Sequence, residues 1–198
     1  LINLQTKGKV EQLLVENSGL INAKGGDVRL TTGTAKTVID SLINMDGIIQ
    51  ADKVDGKGGK VTLQADSVEM DGGSIYADGG NIRISGFEGT KWHTDGVLLD
   101  DTKIYAGDGD ITIFGKGYGT PTTPSNGNNH GVHIRNGSKI VATDSGKISI
   151  LGIGGNGMGR ETSADNNYGV FIEGRDTRVS AEAGDIVITG FGGGQNAK

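Results

Sequence analysis

One phrase is written six times along this chain, and it limits the fold more than any other feature. It runs β-branched residue, any residue, Ala, a short Gly-containing turn, a polar or charged residue, then two apolar residues spaced by one. The copies are Ile21-Asn-Ala23…Gly26-Asp27-Val28-Arg-Leu30, Ile49…Ala51…Gly59-Lys60-Val61-Thr-Leu63 and Ile75…Ala77…Gly80-Asn81-Ile82-Arg-Ile84. The remaining three are Ile104…Ala106…Gly109-Asp110-Ile111-Thr-Ile113, Ile140…Ala142…Gly146-Lys147-Ile148-Ser-Ile150 and Val179…Ala181…Gly184-Asp185-Ile186-Val-Ile188. Recurrence at this interval is the signature of a solenoid, in which each copy is one coil stacked on the last.

Within each copy apolar and polar residues alternate with period two, which argues strand. Ile21 and Ala23 face one way and Asn22 the other; Val28 and Leu30 face inward and Arg29 outward. A further strand precedes each phrase, as Leu13-Leu14-Val15, Leu42-Ile43, Val68-Glu-Met70, Val97-Leu98-Leu99, Val132-His-Ile134 and Val170-Phe-Ile172. A small or turn-prone residue lies two positions before each phrase: Gly19, Gly47, Gly73, Thr102, Ser138 and Thr177. Each coil therefore has about three short strands joined by tight bends, and no long helix is expected.

Composition agrees with a thin core. Gly supplies 37 of the 198 residues and apolar residues only 34 %, too few to fill a compact two-layer globule. The net charge of −5 comes from interleaved acids and bases, so no basic stripe marks a nucleic-acid partner. No run approaches the ~20 apolar residues of a membrane span. The absence of cysteine excludes a disulfide framework and a thiolate metal site. The chain opens Leu1-Ile2-Asn3-Leu4, without Met or a signal peptide; it reads as one continuous segment, 1–198, from inside a longer polypeptide.

Successive phrase alanines are 28, 26, 29, 36 and 39 residues apart. The surplus must leave the coil as loops, read here at Gly86–Asp95, Gly115–His130 and Gly152–Tyr168. Each loop starts with Gly and returns through Gly-Val. Residues 1–66 are loop-poor and 67–198 loop-bearing, and the loops are expected on one side of the rod. Aligned insertions in repeat proteins often form a binding face; they are also tolerated cheaply as plain surface excursions. Six coils at ~4.8 Å spacing give a rod on the order of 25–30 Å long.

The stretch Val15-Glu-Asn-Ser-Gly-Leu-Ile-Asn-Ala-Lys-Gly-Gly-Asp-Val-Arg-Leu-Thr-Thr32, followed by Ala35 to Ala51 (AKTVIDSLINMDGIIQA), resembles the large bacterial exoproteins of the filamentous-haemagglutinin type. The later Gly-Val-x-Ile…Ile-x-Ala…Gly-x-Ile-x-Ile copies are similar to the stalks of such proteins. The resemblance implies an all-β, right-handed parallel β-helix, exported by two-partner secretion to the cell surface or medium. It implies a display or adhesion stalk contacting a host or neighbouring-cell receptor or glycan. Some relatives carry contact-dependent toxins or capture haem carriers. The outer-membrane transporter would act on a secretion domain not contained here, because its Asn-Pro-Asn motifs are absent.

Several residues invite chemistry. Asp100, Asp101, Asp108 and Asp110 are dense enough to suggest Ca²⁺, against solvated turn carboxylates; Gly107-Asp-Gly-Asp110 resembles a calcium-binding nonapeptide but occurs once. Gly152-Ile-Gly154-Gly-Asn-Gly157 matches a dinucleotide-loop spelling without a βαβ unit around it. Thr94-Asp95, Asp100-Asp101 and His130-Gly131 resemble the group order of pectin-cleaving hydrolases. Asp95 and Asp101, however, lie too close in sequence to face one another from adjacent coils. We expect no enzyme and no cofactor; a carbohydrate-binding or polysaccharide-cleaving β-helix is the alternative. His130 and His133 form H-x-x-H, which on a strand points to opposite faces, a poor metal geometry unless His130 lies in the loop; surface hydrogen bonding is their expected role. Tyr76 and Tyr105 share an outward position in adjacent coils and are expected to stack, with sugar binding as the alternative. Trp92 in the first loop either offers a binding surface or folds back on Phe87. Tyr118 in the second loop joins these surface candidates.

Overall fold

The computed structural model describes residues 2–4, 12–32, 40–52, 58–89, 94–119, 128–156 and 166–194. Strand β1 (Ile2–Leu4) precedes six three-strand coils. The first two are β2 (Gln12–Asn17), β3 (Leu20–Asn22), β4 (Val28–Thr31) and β5 (Asp40–Met45), β6 (Ile48–Gln50), β7 (Val61–Ala65). The middle two are β8 (Ser67–Asp71), β9 (Ser74–Tyr76), β10 (Ile82–Gly86) and β11 (Val97–Asp100), β12 (Lys103–Tyr105), β13 (Ile111–Lys116). The last two are β14 (Val132–Arg135), β15 (Lys139–Ala142), β16 (Ile148–Ile153) and β17 (Val170–Ile172), β18 (Arg178–Ala181), β19 (Ile186–Phe191). No helix occurs among the described residues.

Each strand pairs in parallel with its counterpart one coil away. The first strands of the coils form one six-stranded sheet and the second strands another. The third strands, with β1, form a seven-stranded sheet. The architecture is a parallel β-helix, as the repeat predicts.

Register explains why the phrase repeats. Ile21, Ile49, Ile75, Ile104, Ile140 and Val179 stack in the second sheet. Val28, Val61, Ile82, Ile111, Ile148 and Ile186 stack in the third. A branched side chain thus rests on its own kind above and below. From Ile49 to Ile140 the second-sheet column is 0 % exposed. In the last coil the same column type meets solvent, with Ile186 41 % and Ile188 44 % exposed.

Two corners carry backbone that only certain residues accept. After each of the last four first-sheet strands comes a left-handed residue: Gly72 (φ +70°), Asp101 (φ +45°), Asn136 (φ +54°) and Gly174 (φ +89°). Gly, Asn and Asp tolerate that region; other side chains clash with the backbone. The position two residues before each second-sheet isoleucine or valine changes along the rod from glycine (Gly47, Gly73) to hydroxyl (Thr102, Ser138, Thr177). Thr102 donates to Met70 O at 3.1 Å and to Asp100 O at 3.0 Å. Ser138 Oγ accepts the Thr102 N–H at 3.0 Å and contacts Arg135 O at 2.7 Å. These buried hydroxyls satisfy amides and carbonyls that a bare corner would orphan. At the other corner the polar residue of the phrase does similar work. Asp27 Oδ1 accepts the Lys60 N–H, Asn81 Oδ1 that of Asp110, and Asp110 Oδ1 that of Lys147, all at 2.9–3.0 Å.

The three long connections 87–96, 117–131 and 154–169 leave at one corner, between the third sheet and the first sheet of the next coil. They begin later than the residues alone suggest. Strand pairing continues past the phrase through Ser85-Gly86, Phe114-Gly115-Lys116 and Leu151-Gly152-Ile153, so the opening glycines belong to the sheet. The extended connection of the second coil, 51–60, lies at a different corner.

Candidate functional site

The necks of the three loops are built from backbone packed against backbone. A Cβ on Gly86, Gly115 or Gly152 would overlap the carbonyl oxygen of Gly96, Gly131 or Gly169, respectively. That is the physical content of the Gly…Gly-Val signature: the outgoing and returning chains touch where each loop leaves the rod. Neighbouring loops then pair with one another. Gly96 N–H donates to His130 O (3.1 Å) and Gly131 N–H to Tyr168 O (3.0 Å). Tyr118 N–H donates to Thr94 O (2.7 Å) and Gly155 N–H to Asn129 O (2.8 Å). Side-chain amides extend this ladder: Asn129 donates through both its backbone N–H and Nδ2 to Asn167 Oδ1, at 3.1 and 3.0 Å.

At the base of the necks lies a cluster drawn from three coils. Asp95 ends the first loop, His130 ends the second, and His133 lies on β14. Tyr168 ends the third loop; Phe171 lies on β17 and Glu173 follows it. Ser67 Oγ donates to the Asp95 backbone carbonyl at 2.9 Å and the His130 N–H to Asp95 Oδ1 at 2.8 Å, so one bond fixes the main chain of Asp95 and the other its carboxylate. His133 has Nδ1 3.1 Å from Asp95 Oδ2 and Nε2 3.0 Å from Glu173 Oε1. His130 Nδ1 accepts the Tyr168 N–H at 3.2 Å. The two imidazoles meet edge to face with centroids 4.9 Å apart, and Phe171 packs on both, at 5.0 and 5.1 Å. Tyr168 stacks on His130 at 5.4 Å.

Both histidines are buried, and carboxylate contacts set them apart. His130 is 1 % exposed and His133 6 %. Burial is the largest influence on His130 and holds its pKa below the ordinary histidine value, with Asp95 and Glu173 pulling weakly the other way and His133 adding to the depression. Burial also opposes charge on His133, but the hydrogen bond and charge of Asp95, joined by Glu173, outweigh it and raise that pKa.

His130 precedes the strand, the case in which i and i+3 of H-x-x-H can converge. The expected surface role of the two histidines is corrected: neither ring is at the surface. Asp95, His130 and His133 offer donor atoms that all lie within 4.8 Å of one another. Sequence reasoning missed Glu173 and the partnership of Asp95 with the histidines. The available signal was coil spacing: His133 and Glu173 are 40 residues apart, close to the local repeat.

The other candidates disperse. Asp100 accepts from Arg135 Nε and Asn136 Nδ2, both at 2.7 Å. Asp101 serves the left-handed corner, and Asp110 accepts a backbone amide. Asp100 and Asp101 sit at the far end of the first sheet from Asp95, so the hydrolase-like order does not assemble into one site. Tyr76 and Tyr105 do stack, at 5.4 Å with planes 3° apart, and both are half-buried. Tyr118 is half-buried against the first loop through its backbone. Phe87 packs on Phe114, centroids 6.0 Å apart; Trp92 lies outside the described residues. Gly154 and Gly155 of the dinucleotide-like spelling press against neighbouring loop backbone. No helix among the described residues is long and apolar enough to cross a membrane.

Among curated proteins the chain is similar to a heme/hemopexin-binding protein of Haemophilus influenzae, at 38 % identity over 68 residues. The match covers 34 % of this chain and 7 % of that protein. No family model matches the chain, and no solved structure gives a significant match.

Proposed function

We propose that this chain is a display segment of a bacterial surface or secreted protein, with the loop corner as its contact face. The observation that carries the reading is the concentration of non-repeating structure at one corner. In the inward columns of the three sheets successive coils place like residues on like. At the corner, three loops of differing length are knitted by an asparagine ladder and a buried histidine–carboxylate cluster, and Phe87 (42 % exposed) and Tyr168 (44 % exposed) reach solvent nearby. The rod supplies rigidity through continuous backbone pairing between coils; the loops supply the variable surface. In this reading the parent is an adhesin of the filamentous-haemagglutinin type, exported through an outer-membrane transporter. Its partners are a receptor or glycan on a host or neighbouring cell, and no catalytic step is involved.

The test is a loop exchange. Residues 120–127 and 157–165 are replaced by short Gly-Ser linkers, and attachment of the labelled chain to epithelial cells and to a glycan array is measured. Attachment lost with the circular dichroism spectrum unchanged supports the contact face. Attachment that survives both replacements, or none by the intact chain, refutes it. Incubation with plant and bacterial polysaccharides, assayed for reducing ends, tests the carbohydrate-cleaving alternative.

A second reading follows from the curated relative, whose name specifies heme and hemopexin. Titration of the chain with haem, followed by its absorption band, and with hemopexin on a sensor surface, tests that ligand class directly. A flat response in both leaves the receptor or glycan reading in place.

A further inference from the structure

The geometry points to a divalent transition-metal site formed by Asp95, His130 and His133, with Glu173 as the carboxylate behind His133. The inference is independent of what the loops bind. It starts from a hydrogen-bond count. Both ring nitrogens of His133 face carboxylate oxygens, at 3.1 and 3.0 Å. A neutral imidazole has one N–H, so it serves only one of them and turns a lone pair toward the other. A second ring proton resolves the conflict in the imidazolium; where the ring is neutral, a cation between Nδ1 and Asp95 does so instead. Nδ1 and Asp95 Oδ2 become ligands, and Nε2–H donates to Glu173. That is the carboxylate–histidine–metal arrangement by which an outer carboxylate fixes the tautomer and strengthens the ligand.

A second nitrogen, from His130, lies close to the pair. One donor atom each from Asp95, His130 and His133 lies within 4.8 Å of the others, and metal–nitrogen and metal–oxygen bonds near 2.0–2.2 Å would draw them together by small side-chain rotations. His130 is desolvated, which favours the neutral imidazole that a metal needs. Two imidazoles and one carboxylate suit Zn²⁺, Ni²⁺, Cu²⁺ or Co²⁺ and not Ca²⁺, which prefers an all-oxygen shell. Three protein ligands leave a fourth position for water or for a group brought by a partner.

Ligation also reaches the third loop. His130 Nδ1 now accepts the Tyr168 N–H. If Nδ1 binds the metal, that lone pair is used; if Nε2 binds, Nδ1 carries the proton. Either way the Tyr168 amide loses its acceptor, so the metal would change the third loop's neck as well as the second's.

The experiment titrates the intact, chelator-treated chain with ZnCl₂ by calorimetry and with CoCl₂ by visible spectroscopy. The expected result is one equivalent of Zn²⁺ per chain, intense tetrahedral Co²⁺ bands, and a selective shift of the Tyr168 amide in a ¹H–¹⁵N spectrum. Asp95→Asn should weaken binding by more than tenfold. Glu173→Gln, on a side chain 46 % exposed and so compatible with folding, should weaken it by about 10–100-fold. Binding weaker than about 1 mM, or Zn²⁺ uptake unchanged by both substitutions in chains shown to be folded, overturns the site. If Asp95→Asn does not fold, Glu173→Gln and the Tyr168 amide decide the matter.

Discussion

Gly131→Ala should destabilise the rod through space alone. Gly131 sits in the neck of the second loop, between the backbones of the coils on either side. A methyl built there lies 2.6 Å from Gly169 O and 2.7 Å from Gly115 O, and is crowded also by Ile153 N. These separations are well inside van der Waals contact, and every neighbour is backbone, which cannot rotate away. Relief requires shifting a segment whose amide donates to Tyr168 O and whose carbonyl accepts from Val97 N–H, each at 3.0 Å. Overpacking of this kind costs about 1–3 kcal/mol, and loosening two ladder bonds adds about 1 kcal/mol, so the expected loss is about 2–4 kcal/mol. For a chain of this size that lowers Tm by roughly 4–16 °C. Two further glycines separate space from backbone angle. Gly19 has nothing within 4 Å of its built Cβ, so Gly19→Ala should be neutral or stabilise by about 0.4–1 kcal/mol through the unfolded chain. Gly72 has equally open space but φ +70°, so Gly72→Ala should cost about 1–2 kcal/mol. Urea unfolding followed by circular dichroism measures all three. Gly131→Ala within about 0.5 kcal/mol of the parent, or Gly19→Ala as damaging as Gly131→Ala, would refute the close-packed neck.

Ile104→Ala, in a fully buried column between Ile75 and Ile140, should cost about 2–5 kcal/mol in the same urea assay. Ser138→Ala removes the acceptor of the buried Thr102 N–H and should cost about 1–3 kcal/mol, with Ser138→Thr restoring part of it. In metal-free buffer, the contribution of His133 should depend on pH. Its folded pKa is raised, so its stabilisation is fully present below the unfolded value near 6.5 and is lost as pH rises through the folded one. Burial and Arg135 oppose the charge on the ring, and Asp95 and Glu173 face it as partners that favour it. The stability gap between the parent and His133→Gln should therefore be wider at about pH 5.5 than at pH 8; a gap independent of pH contradicts the bridging imidazolium.

The coils were legible in the sequence because a solenoid repeats its local rules. Ile104 resembles Ile75 and Ile140 in the text, and it stacks between them in space. The positions of the loops were legible from the lengthening spacing, and their necks from Gly86, Gly96 and their counterparts. Strand ends were less so: Phe114-Gly115-Lys116 carries no β-branched residue, and only pairing with Leu151-Gly152-Ile153 reveals it as strand. The cluster was half legible. H-x-x-H was visible, but whether His130 begins the strand or ends the loop depends on where pairing starts. Asp95 and Glu173 look like ordinary loop and turn carboxylates until stacking brings them to either side of one imidazole.

The cluster also bears on the two meanings that aligned loops can have. A merely tolerated insertion needs a closed neck, and the glycine pairs with their backbone ladder already provide one. Lengthening such a loop is cheap, about 0.6 kcal/mol per doubling. Burying two imidazoles and a carboxylate is not: each must give up water, and His133 in its neutral form leaves one of its two carboxylate contacts without a donor. Simple closure does not require that cost, and an apolar base of the Phe171 kind would avoid it. A cation held at the necks or a partner seated on the loops would offset it. The cost of the cluster therefore favours the contact face over the idle insertion, and it locates the residues whose replacement should separate them: Asp95, His133 and Glu173 in place of any residue of the repeated phrase.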